Sequence, residues 1–434
     1  MPPTTNDLFH PRRRDWLRWL AVASASTATL PAWAEPDEEV LGKSLRYPLG
    51  NAGNWYQNPY RVASWSDLHS VPGIRSRKVT RAAQAGSLPR AAQAASIRYR
   101  FRNLGYTLND YLDRQRTTGL LVLKNGEIHA EHYRYGRKED ARFLSFSMAK
   151  SVTALLIGQA QARGRIASLD DLAQKYAIDF AGSAYGSTSI RHLLRMSSGL
   201  TFSERYDGND DIARLSRASA GGTGGPSPMQ VLRSITDRHS PAGEKFVYAS
   251  AETDVLGRIL TAATGRNMAE LTEEWLWKPM GAEHDAYWRT SIDSQEQAYG
   301  GFNASLRDWA RLGMLLANNG KVSRPDGSQE QVLPLEFLLD ATDAERQPGA
   351  FRPLKATPHY GYGYQIWLLP LRERTFAFQG IHGQAVYVQP ASGIVMVHTS
   401  VWEHASGRQD AGPYQEREAL WRGVLQSLDG STAA

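Results

Sequence analysis

The stretch that follows Ser147 constrains this chain more than any other. Ala154, Leu155, Leu156, Ile157 and Ala160 leave it apolar on nearly every face, and Gly164 supplies a stop. A helix that is apolar all round must be buried, so the pattern predicts a central helix with other elements wrapped around it. The first turn of that helix nevertheless carries Ser147 and Lys150. Positions i and i+3 share a helix face, so the lysine can point at the serine hydroxyl. A serine needs a base within hydrogen-bond reach to become a nucleophile, and desolvation lowers the pKa of a lysine ammonium. The helix N-terminus adds a positive field and backbone donors at the same place. Ser-x-x-Lys recurs by chance, so the reading needs partners elsewhere in the chain.

The order of elements around the helix sets the fold class. Residues 118–124 and 128–135 read as strands joined by the Asn125-Gly126 hairpin turn. A long helical block follows, with a helix start at Ser168-Leu169-Asp170-Asp171 and helices over 189–196, 229–235, 251–264, 267–277, 305–318 and 334–340. Between them, residues 201–228 are polar and Gly-rich and read as a long loop of the kind that usually carries function. Residues 363–368, 374–378, 384–389 and 394–401 then alternate with tight turns, as antiparallel strands do. A helix over 414–428 closes the chain. The expectation is an α+β fold: one antiparallel sheet built from both ends of a domain at 111–430, with helices inserted between. Residues 35–110 read as an N-terminal extension packed on that domain and shaping a cleft.

Composition removes several classes of chemistry. The 434 residues include no cysteine, which excludes disulfides, thiolate metal sites and a cysteine nucleophile. The 11 histidines are dispersed. No Walker loop, Gly-x-Gly-x-x-Gly, His-Glu-x-x-His or Gly-x-Ser-x-Gly motif occurs, so no metal and no cofactor is expected. The net charge of +6 is modest. Residues 75–102 are basic without an acid, but no nucleic-acid-binding signature accompanies them, so they read as a solvated face. The start of the chain reads as an export signal. Arg13-Arg14-Asp15-Trp16-Leu17-Arg18 resembles the twin-arginine pattern, a mild apolar run covers 19–30, and Ala32-Trp33-Ala34 offers a cleavage site. A 1–34 signal implies a periplasmic or secreted protein with no stable membrane insertion after cleavage.

Two distant segments qualify as partners for Ser147. Tyr248-Ala249-Ser250 offers a phenol, whose pKa a neighbouring lysine can lower until it serves as a base. Gly380-Ile381-His382-Gly383-Gln384 enters a strand, where glycines permit close approach and a backbone N–H can hold an oxyanion. Each has a plain alternative, a core tyrosine and a strand histidine.

Ser-x-x-Lys, Tyr-x-Ser and a late Gly-containing strand, in this order, resemble the serine β-lactamase and penicillin-binding-protein superfamily. The similarity spans 118–401 and is nearest to the class C-like branch, with its D-alanyl peptidases and family VIII esterases. Stretches 164–171, 190–199 and 300–308 fit as well. Within that branch the chain is most similar to the 6-aminohexanoate-dimer hydrolases. Ser203-Glu204-Arg205-Tyr206, Asp210-Asp211, and Gly-Ile-His-Gly-Gln in place of Lys-Thr-Gly carry that likeness. The resemblance implies an acyl-enzyme hydrolase of small amides or esters, monomeric or homodimeric. Ser147 would attack, and Lys150 would take its proton, alone or with Tyr248. Tyr248 would then protonate the leaving group. The N–H groups of Ser147 and of the Gly383-Gln384 strand, at Gln384, would hold the oxyanion. His382 and Asn303 join the substrate-side candidates. Ser250 would relay hydrogen bonds from Lys150, Tyr206 would close over substrate, and Asp210 or Asp211 would meet a substrate amine. The missing Lys-Thr-Gly lysine argues against strong β-lactamase activity. A D-amino-acid peptidase and a non-catalytic cell-wall or ligand-binding module stay open as alternatives.

Overall fold

Seven strands pair antiparallel into the main sheet of the computed structural model, which describes residues 37–433 except 223 and 325. The proposed export signal lies outside the described residues, which belong to one contact unit. Across the sheet the order is Gly361–Tyr362, Trp367–Leu368, Phe376–Gly380, Gln384–Gln389, Ile394–Ser400, Thr117–Lys124 and Glu127–Tyr133. The last strand of the chain therefore pairs with the first strand of this sheet, as the sequence order requires. Asn125 (φ 50°) and Gly126 (φ 85°) form the two-residue hairpin turn, a conformation that Asn and Gly adopt at little cost.

Alternation along the strands separates two cores. Leu121, Leu123, Val386, Val388, Val395 and Val397 face the cluster that contains Val152, Leu155 and Leu156 of the central helix (Met148–Ala162). Leu120, Val122, Ala385, Tyr387 and Met396 face the other way, onto Leu420, Trp421 and Val424 of the terminal helix (Gly412–Ser427). Side chains with period two thus bury both faces of one sheet. Every residue of the central helix from Met148 to Ala160 is buried, as an all-round apolar helix must be. No helix among the described residues is long and apolar enough to cross a membrane.

Three features differ from expectation. The polar segment 201–228 contains a helix, Asp211–Ala220, whose Ile212, Leu215 and Ala218 reach the core. The segment around Ser168 starts only a short 3-10 turn, Ala173–Lys175. There Asp171 accepts hydrogen bonds from the Ser168 N–H, Tyr176 Oη and Lys175 Nζ, which closes a loop instead of opening a helix. A second sheet runs Ser76–Val79, Ala286–Arg289, Phe302–Ala304, Phe143–Leu144. Its strands of two to four residues are too short to leave a periodic trace.

Residues 37–110 supply the first strand of that second sheet and a cluster of their own. Leu41, Val62, Trp65, Leu68 and Val71 pack with Leu144, Phe146 and Val401. The Trp65 ring meets Phe146 edge-on at 4.9 Å, and Tyr56 meets it at 6.1 Å. Phe146 has φ 44°, a left-handed conformation that a bulky residue holds only when its surroundings impose it. The extension therefore grips the residue immediately before Ser147.

Candidate active site

Ser147 occupies the N-cap position of the central helix, already in helical conformation, with its side chain free of any capping bond. Lys150 follows one turn later. Its Nζ donates to Ser147 Oγ at 3.0 Å and to the Tyr299 carbonyl at 2.8 Å. The lysine is 1% exposed. Burial pulls its pKa down to about 8, while the carboxylate of Glu204 acts in the opposite direction. In its neutral form the amine keeps an N–H for the Tyr299 carbonyl and turns its lone pair to the serine.

Tyr248 lies opposite. Its ring stacks on Trp367 at 5.5 Å with an 18° tilt, and Lys150 Nζ stands 5.0 Å from the ring centroid. Its hydroxyl lies within interaction range of Ser147. The expectation of a lowered phenol pKa does not hold: burial, and next the Glu204 carboxylate, push it well above the usual value. Tyr248 is a neutral phenol, able to hand on a proton but not poised as a phenolate base. The group with a depressed pKa is Lys150.

Two cavities meet at Ser147. One, about 620 Å³, is lined by Tyr248, Phe246, Trp367, Gln379, Gly380 and Tyr414. The other, about 350 Å³, is lined by Trp55, Tyr56, Phe146, Ser250, Arg289 and Tyr299. Ser147, Glu204, Tyr206 and Ile381 border both.

The late strand reaches the site through different residues from those expected. A Cβ added at Gly380 would lie 2.4 Å from the Ser145 carbonyl oxygen and 3.2 Å from the Ser147 nitrogen, and the first of these leaves no room for a side chain, so glycine lets the strand end come this close. Gly380 and Ile381 line the cavity. Gln384 and Gly383 do not, because the chain turns away through His382, whose φ is 57°. Gln384 is committed to structure: its Nε2 donates to the Ser400 carbonyl at 2.8 Å and the His382 carbonyl at 3.1 Å. A Cβ on Gly383 would meet Ser400 and Trp402, away from the serine. His382 donates through Nδ1 to the Trp402 carbonyl at 2.8 Å and accepts from Tyr56 Oη, and burial drops its pKa to about 3. It is a neutral anchor for the extension. Asn303 is 1% exposed and donates to the Gly301 and Tyr287 carbonyls at 2.9 and 3.2 Å, outside both cavities.

On the loop side, Asp210 caps the Asp211–Ala220 helix and accepts the N–H groups of Arg205 and Tyr206 at 2.6 Å each. Asp211 accepts from the Ser203 N–H and hydroxyl at 2.8 and 2.7 Å. Both carboxylates are thus occupied in shaping the loop and are not free for a substrate amine. Tyr206 borders both cavities and donates to Glu204 at 2.7 Å. Ser250 donates to the same carboxylate through its N–H and its hydroxyl, each at 2.8 Å, and not to Lys150.

Glu204 is the residue that sequence reasoning left without a role. It ties Tyr206 to Ser250, and its charge acts on Lys150. Its only trace in the sequence is its place within Ser203-Glu204-Arg205-Tyr206. Because its carboxylate raises the Lys150 pKa, Glu204→Gln is expected to lower that pKa and move the pH midpoint of kcat/KM toward acid. A midpoint equal to wild type would show that the carboxylate does not act on the lysine.

A serine at a helix start, a buried lysine one turn later and a strand end beside the serine nitrogen form the machinery of a serine hydrolase. The chain belongs to the Beta-lactamase family, whose model matches residues 107–420. Among curated proteins it is similar to the 6-aminohexanoate-dimer hydrolase of Paenarthrobacter ureafaciens, 26% identical over 366 residues, covering 82% of this chain and 91% of that protein. Among solved structures it resembles one from Bacillus anthracis provisionally named a 6-aminohexanoate-dimer hydrolase, with TM-score 0.76 and 23% identity, covering 92% of this chain and all of that one. It also resembles the octameric penicillin-binding protein homologue from Pyrococcus abyssi, with TM-score 0.55 and 16% identity, over 74% of this chain and 77% of that one.

Proposed function

We propose that this protein hydrolyses small linear amides and esters through an acyl-enzyme on Ser147. The observation that carries the reading is the 3.0 Å contact between Ser147 Oγ and a buried lysine whose pKa is held near 8. The name of the curated relative, a 6-aminohexanoate-dimer hydrolase, supports the amide option, because two amino acids are joined through an amide.

The geometry supports the following steps. Neutral Lys150 accepts the hydroxyl proton as Ser147 Oγ bonds to the substrate carbonyl carbon. The carbonyl oxygen gains the electron pair and is held by the N–H groups of Ser147 and Ile381, in place of Gln384. As the C–N or C–O bond breaks, Tyr248 gives its phenol proton to the leaving atom and recovers one from Lys150. Water then attacks the acyl-enzyme, passes a proton to the same relay, and releases the carboxylic acid and free Ser147.

A substrate panel tests this reading: p-nitrophenyl esters of short acids, anilides of the same acids, and nitrocefin. Turnover of linear substrates with nitrocefin slow or inert is expected. Nitrocefin as the fastest substrate would refute the linear preference, and inertness toward the whole panel would refute the hydrolase.

A further inference from the structure

Arg289 lines the smaller cavity, and among the described residues no carboxylate pairs with it; the carboxylates that share the lining, Glu204 and Asp210, accept from Tyr206 and Ser250 and from the Arg205 and Tyr206 N–H groups. Arg289 ends the Ala286–Arg289 strand, where its backbone pairs with Ser76 of the extension. Its guanidinium stands 5.1 Å from the centroid of the Trp55 ring, and both residues line the cavity that opens on Ser147. Among the described residues the groups that act on it electrostatically are Tyr299 and Arg75, a phenol and a second cation, and no carboxylate is among them. Two other arginines are paired: Arg77 with Glu296, and Arg258 with Asp254 and Asp293. A partly buried arginine without a carboxylate, stacked on an indole and facing a cavity, is a ready partner for a planar anion. Burial already lowers its pKa, so an arriving carboxylate would relieve an existing electrostatic cost.

The mechanism above assigns the two lobes. Tyr248 protonates the leaving group and lines only the larger cavity, so the leaving group occupies that side. The acyl half then lies in the smaller cavity, along Phe146 and Tyr299, toward Arg289 and Trp55. We propose that Arg289 binds a carboxylate at the far end of the substrate's acyl chain, so that the preferred substrates are monoamides or monoesters of linear dicarboxylic acids. Trp55 holds the guanidinium in place, which gives the N-terminal extension a part in specificity. This assignment rests on the acyl-enzyme reading.

Three esters with one leaving group and matched chain length test it on the full protein: mono-p-nitrophenyl adipate, p-nitrophenyl hexanoate and p-nitrophenyl 6-aminohexanoate. The wild type is expected to show the highest kcat/KM on the adipate and the lowest on the amino ester. Arg289→Ala should cut kcat/KM for the adipate by about 10- to 100-fold, the range for a lost charge-assisted hydrogen bond, mainly through KM. It should leave the hexanoate within about twofold and improve the amino ester. Arg289→Lys should recover part of the adipate rate. Any other wild-type order, or an equal loss on all three esters, overturns the proposal while leaving the hydrolase reading intact. Failure of that reading looks different: none of the three esters turns over. The wild-type order needs no variant, so a misfolded Arg289→Ala does not spoil the test.

Discussion

Ser147→Ala is expected to lower kcat on a p-nitrophenyl ester by roughly 10⁴- to 10⁶-fold, the scale seen when the nucleophile of a serine hydrolase is removed. The size follows from what remains. The cavities, the Gly380–Ile381 strand end and the helix N-terminus survive, so substrate still binds and its carbonyl is still polarised. No atom remains to take up the acyl group. KM should therefore stay within a few-fold of wild type, by the rule that removing a transition-state interaction spares ground-state binding. The matching mass experiment uses a fluorophosphonate: one adduct on wild type, at Ser147, and none on the variant. An undiminished rate in Ser147→Ala would place the chemistry elsewhere.

The second large effect concerns Lys150 and pH. Burial holds its pKa at about 8. Below that value the side chain is an ammonium that cannot accept the serine proton, and above it an amine that can. At low substrate, activity should rise about tenfold per pH unit below 8 and level off above it. Tyr248 adds no descending limb there, because its phenol stays protonated well past its ordinary range. Lys150→Arg keeps the charge but cannot lose the proton, and is expected to cost about 10²- to 10⁴-fold and to abolish the rise through pH 8. Stopped-flow acylation across pH 6 to 10 measures both; a wild-type profile flat through pH 8 would remove the lysine from its role as base.

The parts of this fold that were legible in the sequence are those governed by local chemistry. An apolar run defined the central helix, Asn125-Gly126 defined the hairpin, and the order of elements required one sheet from both ends of the domain. Ser147, Lys150 and Tyr248 were legible as a spaced set of reactive groups, and the structure brings them together. What escaped was backbone direction. A string of letters does not show that the strand ends at Gly380 and leaves through a left-handed His382, and that single turn moves the cavity wall from Gln384 to Ile381. Nor does it show that Asp210 and Asp211 spend their oxygens on neighbouring N–H and hydroxyl groups. The Asp211–Ala220 helix did leave a trace. Asp210 is a helix-capping residue, and Ile212, Leu215 and Ala218 follow at helical spacing, masked by Gly-rich sequence just after.

The pairing of Ile394–Ser400 with Thr117–Lys124 also has a bearing on timing. Thr118 and Thr399 touch across it, yet 281 residues separate them along the chain. Within the described sheet, the strand end that borders Ser147 is joined to the hairpin through Gln384–Gln389 and that late strand. While the chain is still emerging from the ribosome, the serine and lysine are already made but have no wall to work against. The site is thus expected to be complete only after that late strand has paired. Contacts this distant along the chain slow folding, because a long loop must close before they form.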